Sequence, residues 1–321
     1  MKNDNITRLT ENDIDRVLSS ELGPHFAEYR KLWYKSGRVD SPDFPIHIDF
    51  ELNDKCNQSC KMCPRNEKMH PDINYELNTK AVLNFETFAR IIDEGVPRGL
   101  KSVNLGAFAE PMIHKDLFKM LKYARDAGVV DTRIVTNGTL LDRHINDVFD
   151  SGLVNLFVSV DAFSEDKYRE IRGSPIEKVR GGLLKFLEEK KSRGATLPIV
   201  RVSFVDMNRN SEEKQQFIDF WRDKVDFIDI QVFDNFNIDI TKPYDMSKPK
   251  KWDCESPWVR MSVIANGDVL PCCSFFGRNV PVGNVMKNSM SEIWKGEGMR
   301  KVRSGVVEDS LKNCSICQRC S

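Results

Sequence analysis

Three cysteines, Cys56, Cys60 and Cys63, fall inside the octet CNQSCKMC, and Pro64 and Arg65 follow at once. The other six, Cys254, Cys272, Cys273, Cys314, Cys317 and Cys320, all lie beyond residue 250, and none lies between the two groups. Unrelated core cysteines would scatter, so two tight groups point to metal ligation or redox chemistry. Four thiolates close a structural zinc site or an ordinary iron–sulfur cluster. Three in one short loop are an incomplete set. Either a remote ligand completes it, or one metal position is left open for an exogenous molecule. Such a loop can wrap a cubane, because each thiolate reaches a different iron. Lys61 and Arg65 add positive charge beside an assembly that is net negative.

The elements that must hold these thiols can be read from hydrophobic periodicity. Short β-branched or apolar runs occur at 46–52, 101–105, 132–136, 154–160, 198–205 and 226–233, and helical patterns follow the first five at 84–96, 115–127, 140–150, 176–193 and 211–223. Strands alternating with helices of this length imply βαβ crossovers and a parallel sheet. Six units are too few to close a full barrel, so an α/β partial (β/α)6 barrel is expected. Ligands in such sheets sit at the carboxyl ends of the strands, and the octet falls directly after the first strand. An amphipathic helical segment precedes the barrel at 1–45. The barrel is assigned to 46–240. A polar, proline-containing stretch opens 241–321, a small C-terminal cluster-binding domain. There Asn266-Gly267 predicts a type I′ hairpin turn and 288–303 a helix.

Lys+Arg and Asp+Glu balance at 48 each, so no broad footprint for nucleic acid or anionic membrane is expected. The N-terminus lacks the apolar core of a secretory signal, and no apolar run is long enough to span a bilayer. A cytoplasmic location follows as the expectation, one in which clustered cysteines suit metals better than disulfides.

Cys56-x3-Cys60-x2-Cys63 after a first strand, heading a βα series, resembles the radical S-adenosylmethionine superfamily. The resemblance implies a 4Fe–4S cluster on these thiolates, its fourth iron chelated by S-adenosylmethionine. Reductive cleavage then yields a 5′-deoxyadenosyl radical that abstracts a substrate hydrogen. LGAFAEP after the second strand is similar to the family's GxGEP segment, with Ala109 where glycine is usual, and implies that Glu110 contacts the cofactor's amino group. Val158-Ser159-Val160-Asp161-Ala162 resembles its SxDG segment, with Ser159 a partner for carboxylate or ribose and Asp161 either the same or a helix cap. Arg172 resembles the arginine that pairs with the cofactor carboxylate, and Met62 stands where an aromatic residue often covers adenine. Thr136-Asn137-Gly138 offers the Asn137 amide at the ligand edge, or a plain capping turn.

The C-terminal cysteines, with GNV at 283–285 and SEIW at 291–294, resemble the SPASM or shorter twitch extension. This implies one auxiliary 4Fe–4S cluster on Cys254, Cys272, Cys314 and Cys317, with Cys320 as an alternative ligand; a zinc ribbon is the other reading of these thiols. Cys273 is either a small buried hydrophobe or a thiol that returns a hydrogen atom to a substrate radical. His114, just beyond Glu110, is the candidate base, with a core or surface role as the alternative. The expected activity is oxidation or epimerisation of a carbinol carbon in a sugar, aminocyclitol or nucleotide-linked small molecule. Its partners are that carbohydrate-like substrate and an electron donor such as flavodoxin or ferredoxin. The alternatives are a radical enzyme that matures a ribosomal peptide or protein, and a non-enzymatic iron–sulfur or zinc interaction module.

Overall fold

The computed structural model describes residues 11–36, 41–63, 65, 78–106, 108–232, 254–274, 277–278 and 280–307. Among the described residues, nine strands form one sheet in the order β6-β5-β4-β3-β2-β1-β7-β8-β9. Strands β1 (His47–Phe50), β2 (Ser102–Leu105), β3 (Asp131–Thr136), β4 (Asn155–Ser159), β5 (Ile199–Asp206) and β6 (Phe227–Val232) are parallel, as the βα period predicts. The sheet runs without a break into the C-terminal region, because β7 (Arg260–Val263) pairs parallel with β1, and β8 (Asp268–Leu270) and β9 (Gly283–Asn284) follow antiparallel.

Two helices, α1 (Glu11–Leu22) and α2 (Pro24–Lys35), precede the sheet, and the crossovers carry α3 (Phe85–Gly95), α4 (Leu117–Ala127), α5 (Ile145–Asp150), α6 (Glu165–Arg172) with α7 (Glu177–Ser192), and α8 (Lys214–Trp221). Alternation along the strands separates two faces. Ile48, Phe50, Val103, Leu105, Ile134, Leu156, Val158, Val200, Val202 and Phe204 are buried in one core with Phe88, Ile91, Leu121, Leu183, Phe186 and Phe217 from the helices. The opposite face carries Asp49, Asn104, Arg133, Phe157, Arg201 and Arg260. These residues line one cavity although β6 and β7 stand at opposite ends of the parallel run, so the sheet curls into a partial barrel.

Two local expectations are corrected. The Asn266-Gly267 hairpin forms, but its turn is not type I′. Gly267 N–H donates to the Ile264 carbonyl, and only Gly267 of the pair has positive φ. This is a type I turn closed by a left-handed glycine, which suits the twist of β7 and β8 equally well. The helix predicted at 288–303 is two, α10 (Met290–Trp294) and α11 (Glu297–Val307), after the short α9 (Ser256–Val259). Gly296, a poor helix former, lies at the break.

Candidate functional site

The octet begins six residues after the end of β1, and side chains from four strands converge on it. Glu51 accepts the N–H groups of Phe108 (2.8 Å) and Ala109 (2.9 Å), and Glu110 N–H donates to the Lys55 carbonyl. The loop after β2 is thereby stitched to the cysteine loop. Gly106 permits this approach, since it has positive φ and a Cβ there would lie 2.7 Å from Pro111. Glu110 is buried, and its carboxylate accepts from Met112 N–H (3.0 Å), Thr136 Oγ1 (2.7 Å) and Asn137 N–H (2.8 Å). Burial nevertheless pushes its pKa up to about 7.

Two polar side chains point directly at cysteine sulfurs. Asn137 Nδ2 lies 3.8 Å from Cys56 Sγ and donates to Asn57, while Arg172 Nη1 lies 3.5 Å from Cys60 Sγ. Arg172 Nη2 pairs with Asp161, whose other oxygen accepts Val205 N–H at 2.8 Å. Asp161 is the one non-glycine residue with positive φ among the described residues, a backbone conformation that persists only where surroundings hold it. Arg172 was expected to meet a cofactor carboxylate. In the structure it bridges a cluster thiol and Asp161, and its buried Nε has no partner. Ser159 ends β4 half-buried on the cavity face, in register with Ser203.

These residues fit an iron–sulfur cluster. The three thiols are close enough to influence one another's ionisation, and donors at Asn137 and Arg172 suit thiolates of a net-negative assembly. Burial raises Cys56 and pushes Cys63 up to about 11, so these two free thiols stay protonated at neutral pH until metal claims them. Among the described residues no group of three or more His, Cys, Asp or Glu is spaced to hold a single metal ion. In the second group, burial raises the Cys273 thiol and Cys254 lies near enough to add to that shift, and Ser262 Oγ donates to the Cys272 carbonyl (3.0 Å). Cys314, Cys317 and Cys320 lie outside the described residues. His114 is occupied structurally: Nε2 lies 3.0 Å from the Leu83 carbonyl, and Nδ1 accepts Asp116 N–H. Both ring nitrogens thus meet backbone groups.

A cavity of about 580 Å³ lies against the inner barrel face. Its floor is α1 and α2, which contribute Ile14, Asp15, Leu18, Phe26 and Arg30. Ion pairs surround it: Arg30–Asp15 (2.9 Å) in the floor, Arg133–Asp131 (2.8 Å) and Arg260–Asp49 (2.6 Å) in the wall, and the wall residue Arg201 pairs with the fully buried Asp229. The Arg201 guanidinium is held between the rings of Phe157 and Phe227, 4.4 and 5.0 Å from their centroids. Cys273 also lines the cavity. Behind the wall, His47 Nδ1 lies 2.8 Å from Ser102 Oγ and Nε2 lies 3.1 Å from Asp49 Oδ1. Burial lowers the pKa of His47 against the pull of Asp49, so a neutral ring donates from Nε2 to Asp49, while Ser102 Oγ gives its hydrogen to Asp131 at 3.1 Å. Burial would raise Asp49, but Arg260 and then His47 hold it well below the usual carboxylate range.

Apart from Cys273, sequence reasoning singled out none of these residues. The signal was present: in IHIDFEL the polar residues His47, Asp49 and Glu51 alternate with apolar ones. Alternation identifies a polar face without saying whether it meets bulk solvent or a chamber.

The model of the radical SAM superfamily matches residues 50–202, and that of SPASM, an iron–sulfur cluster-binding domain, matches 254–321. The chain is similar to the GTP 3′,8-cyclase of Thermodesulfovibrio yellowstonii, 28% identical over 190 residues that cover 58% of this chain and 56% of that protein. A probable GTP 3′,8-cyclase of Methanococcus vannielii is 26% identical over 169 residues, 53% of this chain and 52% of that one. The chain spans about half the length of these curated relatives. Streptococcus suis SuiB bound to precursor peptide SuiA superposes with a TM-score of 0.63 at 15% identity, over 95% of this chain and 75% of that one. BtrN in complex with AdoMet and 2-DOIA superposes with a TM-score of 0.54 at 16% identity, over 87% and 94%. At these identities the structural likenesses establish the fold. Among the described residues no helix is long and apolar enough to cross a membrane.

Proposed function

We propose, for a chain that belongs to the radical S-adenosylmethionine superfamily and carries a C-terminal SPASM domain, oxidation or epimerisation at a carbinol carbon of a small polar molecule. The matched domains imply S-adenosylmethionine and 4Fe–4S clusters as cofactors. The observation that carries the reading is the floored cavity of about 580 Å³, walled by hydrogen-bonding side chains and by Cys273. A chamber of that size holds a small molecule and encloses most of its surface.

When bound, the first cluster with S-adenosylmethionine supplies a radical that takes a hydrogen atom from carbon, and the C-terminal cluster supplies an acceptor for one electron. Cys56, Cys60 and Cys63 hold the first cluster. Glu110, Asn137, Ser159 and Arg172 line the cofactor edge, with Asn137 and Arg172 also steadying thiolates. Cys254 and Cys272 serve the second cluster with Cys314 and Cys317, or with Cys320 in place of one of them. In oxidation, the carbinol loses a hydrogen atom, a proton to solvent and one electron, and becomes a ketone. In epimerisation, Cys273 gives its thiol hydrogen to the opposite face of the carbon radical. The Cys273 thiyl then takes one electron from an external donor of the flavodoxin or ferredoxin class and one proton from solvent.

Anaerobic reconstitution with iron and sulfide, followed by turnover with a panel of sugars and aminocyclitols in deuterated buffer, tests the reading. Oxidation should give one ketone per 5′-deoxyadenosine. Epimerisation should place one deuterium at the inverted carbon, and Cys273→Ala should abolish that label. Turnover of a peptide in preference to every polyol would overturn the reading.

A further inference from the structure

The ion pairs around the chamber are oriented. The side chains of Arg133 and Arg201 are each 39% exposed, whereas those of their partners Asp131 and Asp229 are 2% and 1% exposed. Arg260 is 21% exposed against 5% for Asp49. Arg30 and Asp15 in the floor are comparably exposed, so that pair has no net polarity. All four arginines line the cavity, and a ligand there meets guanidinium groups ahead of the carboxylates that balance them.

Some polar atoms of this wall, Asn104 Oδ1, Arg133 Nε and Arg201 Nε, are closed off without a partner and lie out of a ligand's reach. Recognition falls to the outer nitrogens. Arg133 and Arg201 each spend Nη2 on an aspartate, and Nη1 of neither makes a hydrogen bond among the described residues. The two arginines stand on either side of β4, Arg133 in register with Asn155 and Arg201 with Phe157. Each is the third residue of its strand, β3 or β5, near the amino ends where Phe26 and Tyr29 pack against Val154 and Ile199. The cysteine loop lies past the carboxyl end of β1.

This arrangement selects an oxyanion. Guanidinium N–H groups bond phosphate or carboxylate oxygens roughly twice as strongly as they bond neutral acceptors. An ammonium group would approach the cations first and be repelled. Resting on the proposed reaction, we infer that its substrate carries a phosphate or carboxylate that Arg133 and Arg201 hold at the floor of the chamber, with the carbinol carbon toward the cluster end.

Titration calorimetry tests this on the full chain, reconstituted and loaded with S-adenosylmethionine, with glucose 6-phosphate, glucuronate and glucose as probes. The three share one ring and differ in charge at one end. At least one anion should bind about tenfold or more tightly than glucose. Glucose 6-phosphate ahead names phosphate as the group, and glucuronate ahead names carboxylate. Glucose binding as tightly as both anions, or neither anion binding, overturns the inference.

Arg201→Lys keeps a cation beside Asp229 but removes Nη1, and should weaken the preferred anion by about tenfold while S-adenosylmethionine binding holds. Unchanged anion affinity overturns the assignment. Should S-adenosylmethionine binding fall in step, the fold is damaged and Asp15→Asn decides the matter. That change removes a negative charge lining the chamber, keeps an oxygen for Arg30, and should tighten the anion about threefold or more. No tightening there overturns the inference. Failure to cleave S-adenosylmethionine with an anion bound would sink the proposed reaction and leave this binding preference standing. Ketone formation from glucose and from neither anion would do the reverse.

Discussion

The cysteine-loop end of the barrel and its chamber are both lined by buried polar groups, yet the two hold their carboxylates in different ways. At the loop, Glu110 accepts three bonds, Glu51 accepts two backbone N–H groups, and Asp161 is held by Arg172 and Val205. In the chamber, Asp49, Asp131 and Asp15 are paired with the guanidinium groups of Arg260, Arg133 and Arg30. The loop end is preorganised for one invariant cofactor assembly. The chamber keeps capacity for a molecule that arrives and leaves, which is how a binding site differs from a scaffold.

The sharpest way to break this contrast is Cys60→Ala. Without that thiolate the first cluster should not assemble, lowering bound iron by about four per chain, the content of one cubane. Iron analysis that shows no loss would remove Cys60 from the ligand set. Next comes Arg172→Met, which leaves Asp161 charged and buried; urea unfolding should show a loss of about 3–5 kcal/mol. A loss under 1 kcal/mol, roughly the worth of an exposed pair, would show the ion pair to be solvated.

Glu110 gives a pH signature. Its folded pKa of about 7 lies above the ordinary 4.5, so between those values the native chain binds a proton that the unfolded chain has released. The stabilising contribution is full below about pH 4.5 and is lost as pH rises through 7, a change of about 3 kcal/mol. Glu110→Gln, neutral throughout, should flatten that slope in urea titrations at successive pH values. The smallest effects compare the two regions directly. Thr136→Val removes a donor from Glu110 and should cost about 2 kcal/mol, whereas Asn104→Leu removes an unmet acceptor along with one bond and should stay within about 1 kcal/mol. Equal costs would erase the distinction.

What could be read from the sequence follows from the range of the interactions. The octet, the strand before it and Glu110-Pro111 are local patterns, and the structure brings Glu110 and Asn137 together by a bond between neighbouring strand ends. The six parallel strands were legible because each alternates with a helix. The chamber was not, since its lining comes from stretches far apart in sequence: Asp49 and Arg260, which pair there, are 211 positions apart. Arg172 and Asp161 are close in sequence, but only the fold shows that Cys60 completes their set. The role of 1–45 also waited for the fold, because an amphipathic pattern gives no target. Phe26 and Tyr29 pack with Ile46, Val154 and Ile199, and Tyr29 Oη donates to Asp131. The turn at Gly267 was misjudged in type because Asn-Gly suits more than one hairpin loop.

The seventh parallel strand has a consequence for how the chain can be divided. β7 covers the edge of β1, with His47, Ile48, Asp49 and Phe50 each facing a residue of Arg260–Val263. Arg278, beyond that hairpin, forms a buried ion pair with Asp54, two residues before the first cysteine. A fragment ending at residue 240 would expose the backbone of β1 as an unprotected edge and remove Arg278 from the Asp54 carboxylate. Such edges recruit other chains. The barrel segment expressed alone should therefore aggregate, and the two cysteine-bearing regions fold as one cooperative unit.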